Sequence, residues 1–291
     1  MALTRRELIQ TLAAGLCLPV TGCALFNEGW SGFATADAGA DPTLPPIRRA
    51  PSAVVLDVVF VERPVGDPLL GKSLWDGVDE SGAVDFKVRQ NLNRNGFRVG
   101  VAGSSPPRAL QSMLGLTTRI AEAEGDAGGP QLVGRKVAIV SGSETEVVTG
   151  SPVPSCELVM HHEEEDNRRR FENARFQFRI KAEKLQDGWV TLQFVPEIHH
   201  GEQQLRHVAT RSGWKYHNGQ KVSPVYSQRF EVKLNLGELA VLTSTRDASE
   251  ETLGSRFFIG SEETSAVQRV LVIRLAELGR TEQVASSSEA G

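Results

Sequence analysis

Around residue 176 the apolar side chains of this 291-residue chain fall on every second position, and that period constrains the fold more than any other feature. Phe176, Phe178 and Ile180 point one way, while Arg175, Gln177, Arg179 and Lys181 point the other. Successive side chains alternate across a strand, so the pattern predicts a β-strand with one buried and one solvated face. Asp187-Gly188 supplies a tight turn, and Val190, Leu192 and Phe194 continue the apolar face on the return. Asn218-Gly219 predicts a second hairpin by the same turn chemistry. Phe230, Val232, Leu234 and Leu236 alternate with Arg229, Glu231, Lys233 and Asn235, and Val270–Leu275 is apolar enough for a more buried strand. Residues 126–279 thus predict a mostly antiparallel β-domain with one solvated face.

The preceding stretch, residues 52–125, has a different rhythm. Residues 53–61 are β-branched and nearly continuously apolar, which predicts a buried strand. Val84, Val88 and Leu92 recur every fourth residue, predicting a helix over about 82–94, and Gly96 supplies a left-handed stop. Phe97–Val101 reads as a short strand. Ser105 then caps a helix starting at Pro106, with Leu110, Met113 and Leu114 on one face. The order is βαβα, a small mixed sheet covered by helices. The fold class predicted for the whole is therefore α+β: this unit, followed by the antiparallel β-domain. Residues 280–291 predict a disordered tail.

Ahead of both lies an N-terminal segment of another kind. Arg5-Arg6-Glu7 is a charged start, and the apolar run Leu8–Val20 is about 13 residues, against about 20 needed to span a bilayer. A charged start, a short apolar centre and small residues at its end make residues 1–22 a signal peptide. Val20-Thr21-Gly22-Cys23 resembles the lipobox of bacterial lipoproteins. The resemblance implies cleavage between Gly22 and Cys23, and acyl chains on Cys23. Two or three chains hold firmly where one binds only marginally. Arg5-Arg6 also resembles the pair of a twin-arginine signal, leaving the export route open. Residues 23–51, rich in Gly, Ala, Asp and Pro, read as a lipid-anchored tether with an end-to-end distance of roughly 30 Å if flexible. The expected location is the periplasmic face of a membrane in a diderm bacterium, inner or outer.

Charge and cysteine count narrow the function. The chain carries 32 basic and 36 acidic residues, and loss of Arg5, Arg6 and Glu7 takes the net charge from −4 to −5. Arg168-Arg169-Arg170 follows Glu163-Glu164-Glu165-Asp166, so no basic surface marks a nucleic-acid partner. Cys17 leaves with the signal and Cys23 takes lipid, so Cys156 stands alone and no internal disulfide is available. The core must suffice by itself, which is feasible for about 230 residues.

Three pieces of the β half match a known pattern in order. They are the hairpin Phe176–Glu197 with Val195-Pro196-Glu197-Ile198, the turn and strand Leu236–Leu242, and Thr252-Leu253-Gly254-Ser255-Arg256-Phe257-Phe258 followed by Val270–Leu275. Together they resemble the secretin homology domain of type II and type III secretion channels. Residues 245–251 are charged where that family carries a Val-Pro-x-Leu-Gly-Asp-Ile-Pro element, and the alternating strands carry Arg, Lys and Glu on their outer faces. A transmembrane barrel needs lipid-facing apolar strands there. The resemblance thus implies a non-channel relative in the periplasm, engaged in protein–protein interaction, assembly or self-association.

The candidate chemical sites are few. His161-His162 with Glu163-Glu164-Glu165-Asp166, and His199-His200 with Glu197 and Glu202, have metal-ligating residue types. Adjacent histidines on a strand point to opposite faces, so each pair offers one ligand per face, and no His-Glu-x-x-His pattern is present. These read as solvated hairpin ends, with no catalytic residue, metal or cofactor assigned. Gly100-Val101-Ala102-Gly103 lacks the Walker lysine and reads as a strand end. Cys156 reads as structural, and Trp75, Trp189 and Trp214 fit either core or contact surface. The function expected is a non-enzymatic, membrane-anchored envelope lipoprotein. An exported metal-dependent hydrolase using the His/Glu clusters and an oligomeric secretin-type channel component are the competing readings.

Overall fold

Strand β1 (Ser52–Pro64) alternates inward and outward along its length, and its partners come from far away in the chain. The computed structural model describes residues 52–115, 131–150, 152–161, 166–185, 188–210, 213–245, 249–261 and 266–280, all within one unit, Arg49–Gly291. β1 lies between β12 (Ala266–Arg280) and β3 (Gln131–Val140), antiparallel to both. Beyond β12 come β10 (Leu239–Ser244) and then β2 (Phe97–Ala102). The short β11 (Ile259–Ser261) pairs with the start of β12. The first sheet thus runs β2-β10-β12-β1-β3.

The α+β class holds, and the details of this sheet differ from expectation. The strands of 52–125 and those of 126–279 share it, so the break near residue 125 separates neither sheet nor core. Nor is the unit mixed: every ladder in the sheet is antiparallel, and β1 and β2 are not neighbours. Continuous apolar runs signal burial on both faces, but they do not name the partner strand.

A second sheet lies across one face of the first. Its spine is the hairpin of β6 (Asn167–Lys184) and β7 (Val190–Thr210), which returns through Gly188 in a left-handed conformation (φ 84°) as Asp187-Gly188 predicted. Both strands are long enough to carry two neighbours each. β5 (Val153–Met160) and β4 (Glu144–Val148) flank successive halves of β6. β9 (Phe230–Leu234) and β8 (Gly213–Pro224) do the same for β7. Asn218-Gly219 is not a turn. It lies within β8, with Gly219 opposite Gln204, and the ladder runs on past it to the Thr210–Gly213 pair. The ladder with β7 outweighs the local turn preference there. The register of that ladder shifts between His200 and Gln204, where Gly201 has φ 77°. Asn173 on β6 is also left-handed (φ 49°), and Gln220 Nε2 stitches the two kinks by donating to Asn173 O (2.7 Å) and Gly201 O (2.9 Å).

The two sheets share one core. Val54, Leu56, Leu242 and Ile273 of the first sheet meet Phe176, Phe178, Ile180, Leu192 and Phe194 of the second. The alternate residues of the same strands, Val61, Leu239, Val241, Val270 and Val272, point the other way. They are covered by a 3-10 turn at Pro68–Leu70, helix α1 (Lys72–Trp75) and helix α3 (Arg108–Met113). Helix α2 (Phe86–Arg94) puts Leu92 into the core between the sheets. Helix α2 starts four residues later than predicted, capped by Asp85, which accepts from Lys87 N (2.9 Å), and Gly96 follows its end with φ 82°. Pro107, not Ser105, precedes the first turn of α3, and its cap makes no side-chain hydrogen bond.

Helix α4 (Leu253–Phe258) drives Phe257 and Phe258 into this core. Phe257 lies 4.8 Å from Phe178 and 5.3 Å edge-on from Phe97. The helix comes this close because Gly254 has no side chain: a Cβ there would lie 2.0 Å from Gly96 O. Its N–H donates instead to Asn95 O at 2.8 Å.

Candidate functional site

The residues with the most chemical potential sit on the outer face of the β6–β7 hairpin. Glu197 on β7 is 4% exposed despite lying on the side expected to be solvated. Arg179 reaches it across the ladder, Nε donating to Oε1 at 2.7 Å, and also spans to Glu144 (3.2 Å) and the Tyr226 hydroxyl (3.4 Å). Partial burial lowers the proton affinity of this guanidinium, but its hydrogen bonds to Glu197, Tyr226 and Glu144 outweigh that and hold it above the ordinary arginine value. His199 Nε2 sits 3.3 Å from Glu197 Oε2, and Gln177 Nε2 lies 3.5 Å from the same oxygen. Gln177 is fully buried and its Oε1 has no partner among the described residues. The solvated face predicted for this hairpin is therefore closed at its centre. The long arginine stem folds back over the sheet, a tertiary event that alternation does not encode.

The two histidines of the pair diverge as strand geometry requires. His200 faces the other way, its ring 4.9 Å from Phe171 and its Nε2 2.9 Å from Ser223 Oγ, while Glu202 is exposed. At the first cluster, His161 Nδ1 lies 2.9 Å from Asp166 Oδ1, and 162–165 fall outside the described residues. The backbone of His161 is held by Asn95, which accepts from its N–H and donates to its C=O, each at 2.9 Å. Among the described residues no three His, Cys, Asp or Glu side chains converge as metal ligands do. Around Glu197 the charged groups are paired with one another, through Arg179 and Glu144.

The remaining candidates have structural surroundings. Cys156 is buried in the common core, where burial pushes its thiol up against the opposing pull of Arg256. Gly100 lets Val78 and Trp75 approach β2: a Cβ there would sit 2.4 Å from Val78 Cγ1. Trp75 is buried under Arg98, Trp189 is half-exposed, and the side chain of Trp214 lies outside the described residues. Gly22, Cys23, the tether and the tail from 281 onward also lie outside them. Among the described residues no helix is long and apolar enough to cross a membrane.

The feature best suited to meeting another molecule is an edge. β3 ends the first sheet and is paired on one side, with β1; among the described residues no strand pairs with its other side. Val133 (66% exposed) and Val140 (42%) lie open along it. Arg135 donates to Glu146 O (2.6 Å) and Lys136 lies 3.1 Å from Glu277, so successive residues carry charge to both faces of the edge. That β3 would be an edge depended on which strand β1 took as its second neighbour.

No protein-family model and no curated protein matches the chain. Among solved structures, it is similar to a chain of the Klebsiella pneumoniae type II secretion system outer membrane complex of PulD, PulS and the PulC HR domain. The identity is 12% and the TM-score 0.24, over 78% of this chain. This chain spans 40% of that one.

Proposed function

We propose that this chain is an envelope lipoprotein, held through acyl chains on Cys23 at the periplasmic face of a membrane, whose β-body serves non-enzymatic protein–protein contact. The observation that carries the contact role is the one-sided pairing of β3. A free strand edge presents unpaired backbone N–H and C=O groups, which an extended segment of another chain completes by β-augmentation. Exposed Val133 and Val140 supply apolar contact beside that backbone. Anchoring rests on Val20-Thr21-Gly22-Cys23, and the secretin-like character on the three sequence pieces that fall on β6–β7, β10 and α4–β12.

Two measurements in intact cells test the reading. Membrane fractionation of Cys23→Ser is expected to release the protein from the bilayer; retention there refutes the lipid anchor. A photo-crosslinking residue at Val133 or Val140 is expected to capture a discrete protein adduct that is not formed from position 236, which is 55% exposed on a different surface. Equal capture from position 236, or none from the β3 edge, refutes the contact role.

A further inference from the structure

At the pole where β1 begins and β12 ends, three chain reversals stand side by side. Ser52, the first residue of β1, lies opposite Arg280, the last of β12. Ser52 O accepts from Ser141 N at 2.8 Å, and Ser141 Oγ accepts from Lys184 N at 2.8 Å. The β6–β7 turn follows at once, closed by Leu185 N donating to Trp189 O at 2.7 Å. Gly188 within it abuts the next reversal: a Cβ there would lie 3.7 Å from Asn235 Oδ1. That oxygen accepts from Leu236 N at 2.7 Å, and Gly237 turns the chain with φ 84°. These adjoining turns leave apolar side chains open: Leu185 and Trp189 are each 39% exposed and Leu236 55%. Single exposed apolar residues are ordinary, but two leucines and a tryptophan on neighbouring turns form a set.

What covers them follows from where the N-terminal stretch joins the body. Residues 23–51, which span roughly 30 Å as a coil, connect Cys23 to Ser52 and so reach the body at this pole. The far end of β1 is roughly 40 Å away. Confinement within that distance of a lipid anchor raises the effective concentration of bilayer at this pole, so a patch too small to hold a membrane by itself suffices. Three partly exposed side chains fall well short of the roughly 800 Å² per partner of a standard protein interface. The charges agree. Arg48 and Arg49 stand within four residues of Ser52, and chain length alone keeps them within about 15 Å of it. Lys184 is exposed beside the turn. The nearby carboxylates of Glu183 and Glu277 are matched by Lys181 (3.8 Å) and Lys136 (3.1 Å), and Glu238 accepts from Asn235 N. Tryptophan and leucine suit the boundary between headgroups and acyl chains, and basic residues suit anionic headgroups.

We propose that this pole seats on a lipid surface, with Trp189, Leu185 and Leu236 entering the headgroup–acyl boundary. The inference rests on the lipid anchor at Cys23 proposed above, and adds that the body lies against the bilayer by one defined face. It assigns Leu236 to lipid and leaves the β3 edge to protein.

The test uses the processed full-length protein, extracted from membranes and reconstituted into vesicles of phosphatidylethanolamine and phosphatidylglycerol. A polarity-sensitive fluorophore is attached at Leu236→Cys or, as control, at Val65→Cys, which is 48% exposed just past the far end of β1. Cys156 is buried and shielded from the reagent. Flotation with the vesicles is measured first. Emission from position 236 is expected to shift to the blue and to be quenched by lipids bearing a nitroxide at the headgroup, while position 65 shows neither. Trp189→Ser is expected to lower the docked-to-free ratio about tenfold, the factor carried by roughly 55 Å² of apolar surface. Leu185→Ser, as a second variant, acts in the same direction. Co-flotation with the same emission from positions 236 and 65 overturns the docking and leaves the anchor standing. So does a signal at 236 unchanged in both variants. The vesicles hold no other protein, so a pole made for a protein partner gives the silent result at 236. A chain that does not float with the vesicles refutes anchor and docking together.

Discussion

Gly254→Ala puts the close approach of α4 to Gly96 under test. In an ordinary helix this substitution stabilises by about 0.5–1 kcal/mol, because alanine loses less backbone entropy than glycine. At position 254 the added Cβ would lie 2.0 Å from Gly96 O, 2.1 Å from Gly96 C and 2.6 Å from Phe97 N. All three are backbone atoms, so no side chain can swing away. Relief requires α4 and the start of β2 to separate by about an ångström, enough to forfeit a quarter to a half of the dispersion attraction between the groups they carry. Those groups are Phe97, Phe257 and Phe258, all fully buried. The same movement lengthens the Gly254 N to Asn95 O hydrogen bond, worth about 1 kcal/mol. Overpacking of a tight core costs about 1–3 kcal/mol. Together, less the propensity gain, the expected loss is about 3 kcal/mol. For a body of this size that lowers Tm by about 6–12 °C. Gly103→Ala is the control: nothing lies within 4 Å of its Cβ and its φ is not left-handed, so it is expected to be neutral or slightly stabilising. Thermal unfolding of the two variants beside the parent decides the matter. A Gly254→Ala protein as stable as Gly103→Ala refutes the close approach and the placement of α4.

Two further substitutions probe the buried groups. Glu197→Gln keeps the shape but removes the charge facing Arg179, and is expected to cost about 1–2 kcal/mol, because the guanidinium is about a quarter exposed and retains Glu144. A double-mutant cycle with Arg179→Met in urea unfolding checks this, and zero coupling refutes the pairing. Cys156 has its thiol pKa raised by burial above the ordinary 9.0. The unfolded chain therefore ionises first: the contribution is intact below about pH 8.5 and is lost as pH rises through the folded value. The urea midpoint is expected to fall across that alkaline range in the parent and to fall less in Cys156→Ala, whereas parallel pH profiles refute the assignment.

What could be read from the residues alone was what depends on near neighbours. Alternation at Phe176–Ile180 and Phe230–Leu234 set which side chains face inward, because the pleat reverses direction at each residue whatever lies opposite. Gly188 and Gly96 marked a turn and a helix end, since few residues but glycine tolerate positive φ there. The lipobox cysteine is likewise a local pattern, and the proposed anchor rests on it. Tertiary structure decided which strands meet. β1 found β12, with Asp57 bonded to Arg274 across more than two hundred residues, and that choice merged two expected units into one sheet and left β3 at an edge. A period of two specifies a face and not a partner, so no reading of 52–125 by itself could yield this pairing. The same holds for Glu197, which alternation assigned to solvent and Arg179 buried. Partner strands and the edge are products of long-range packing, where the energy comes from apolar area buried between segments that sequence distance keeps apart.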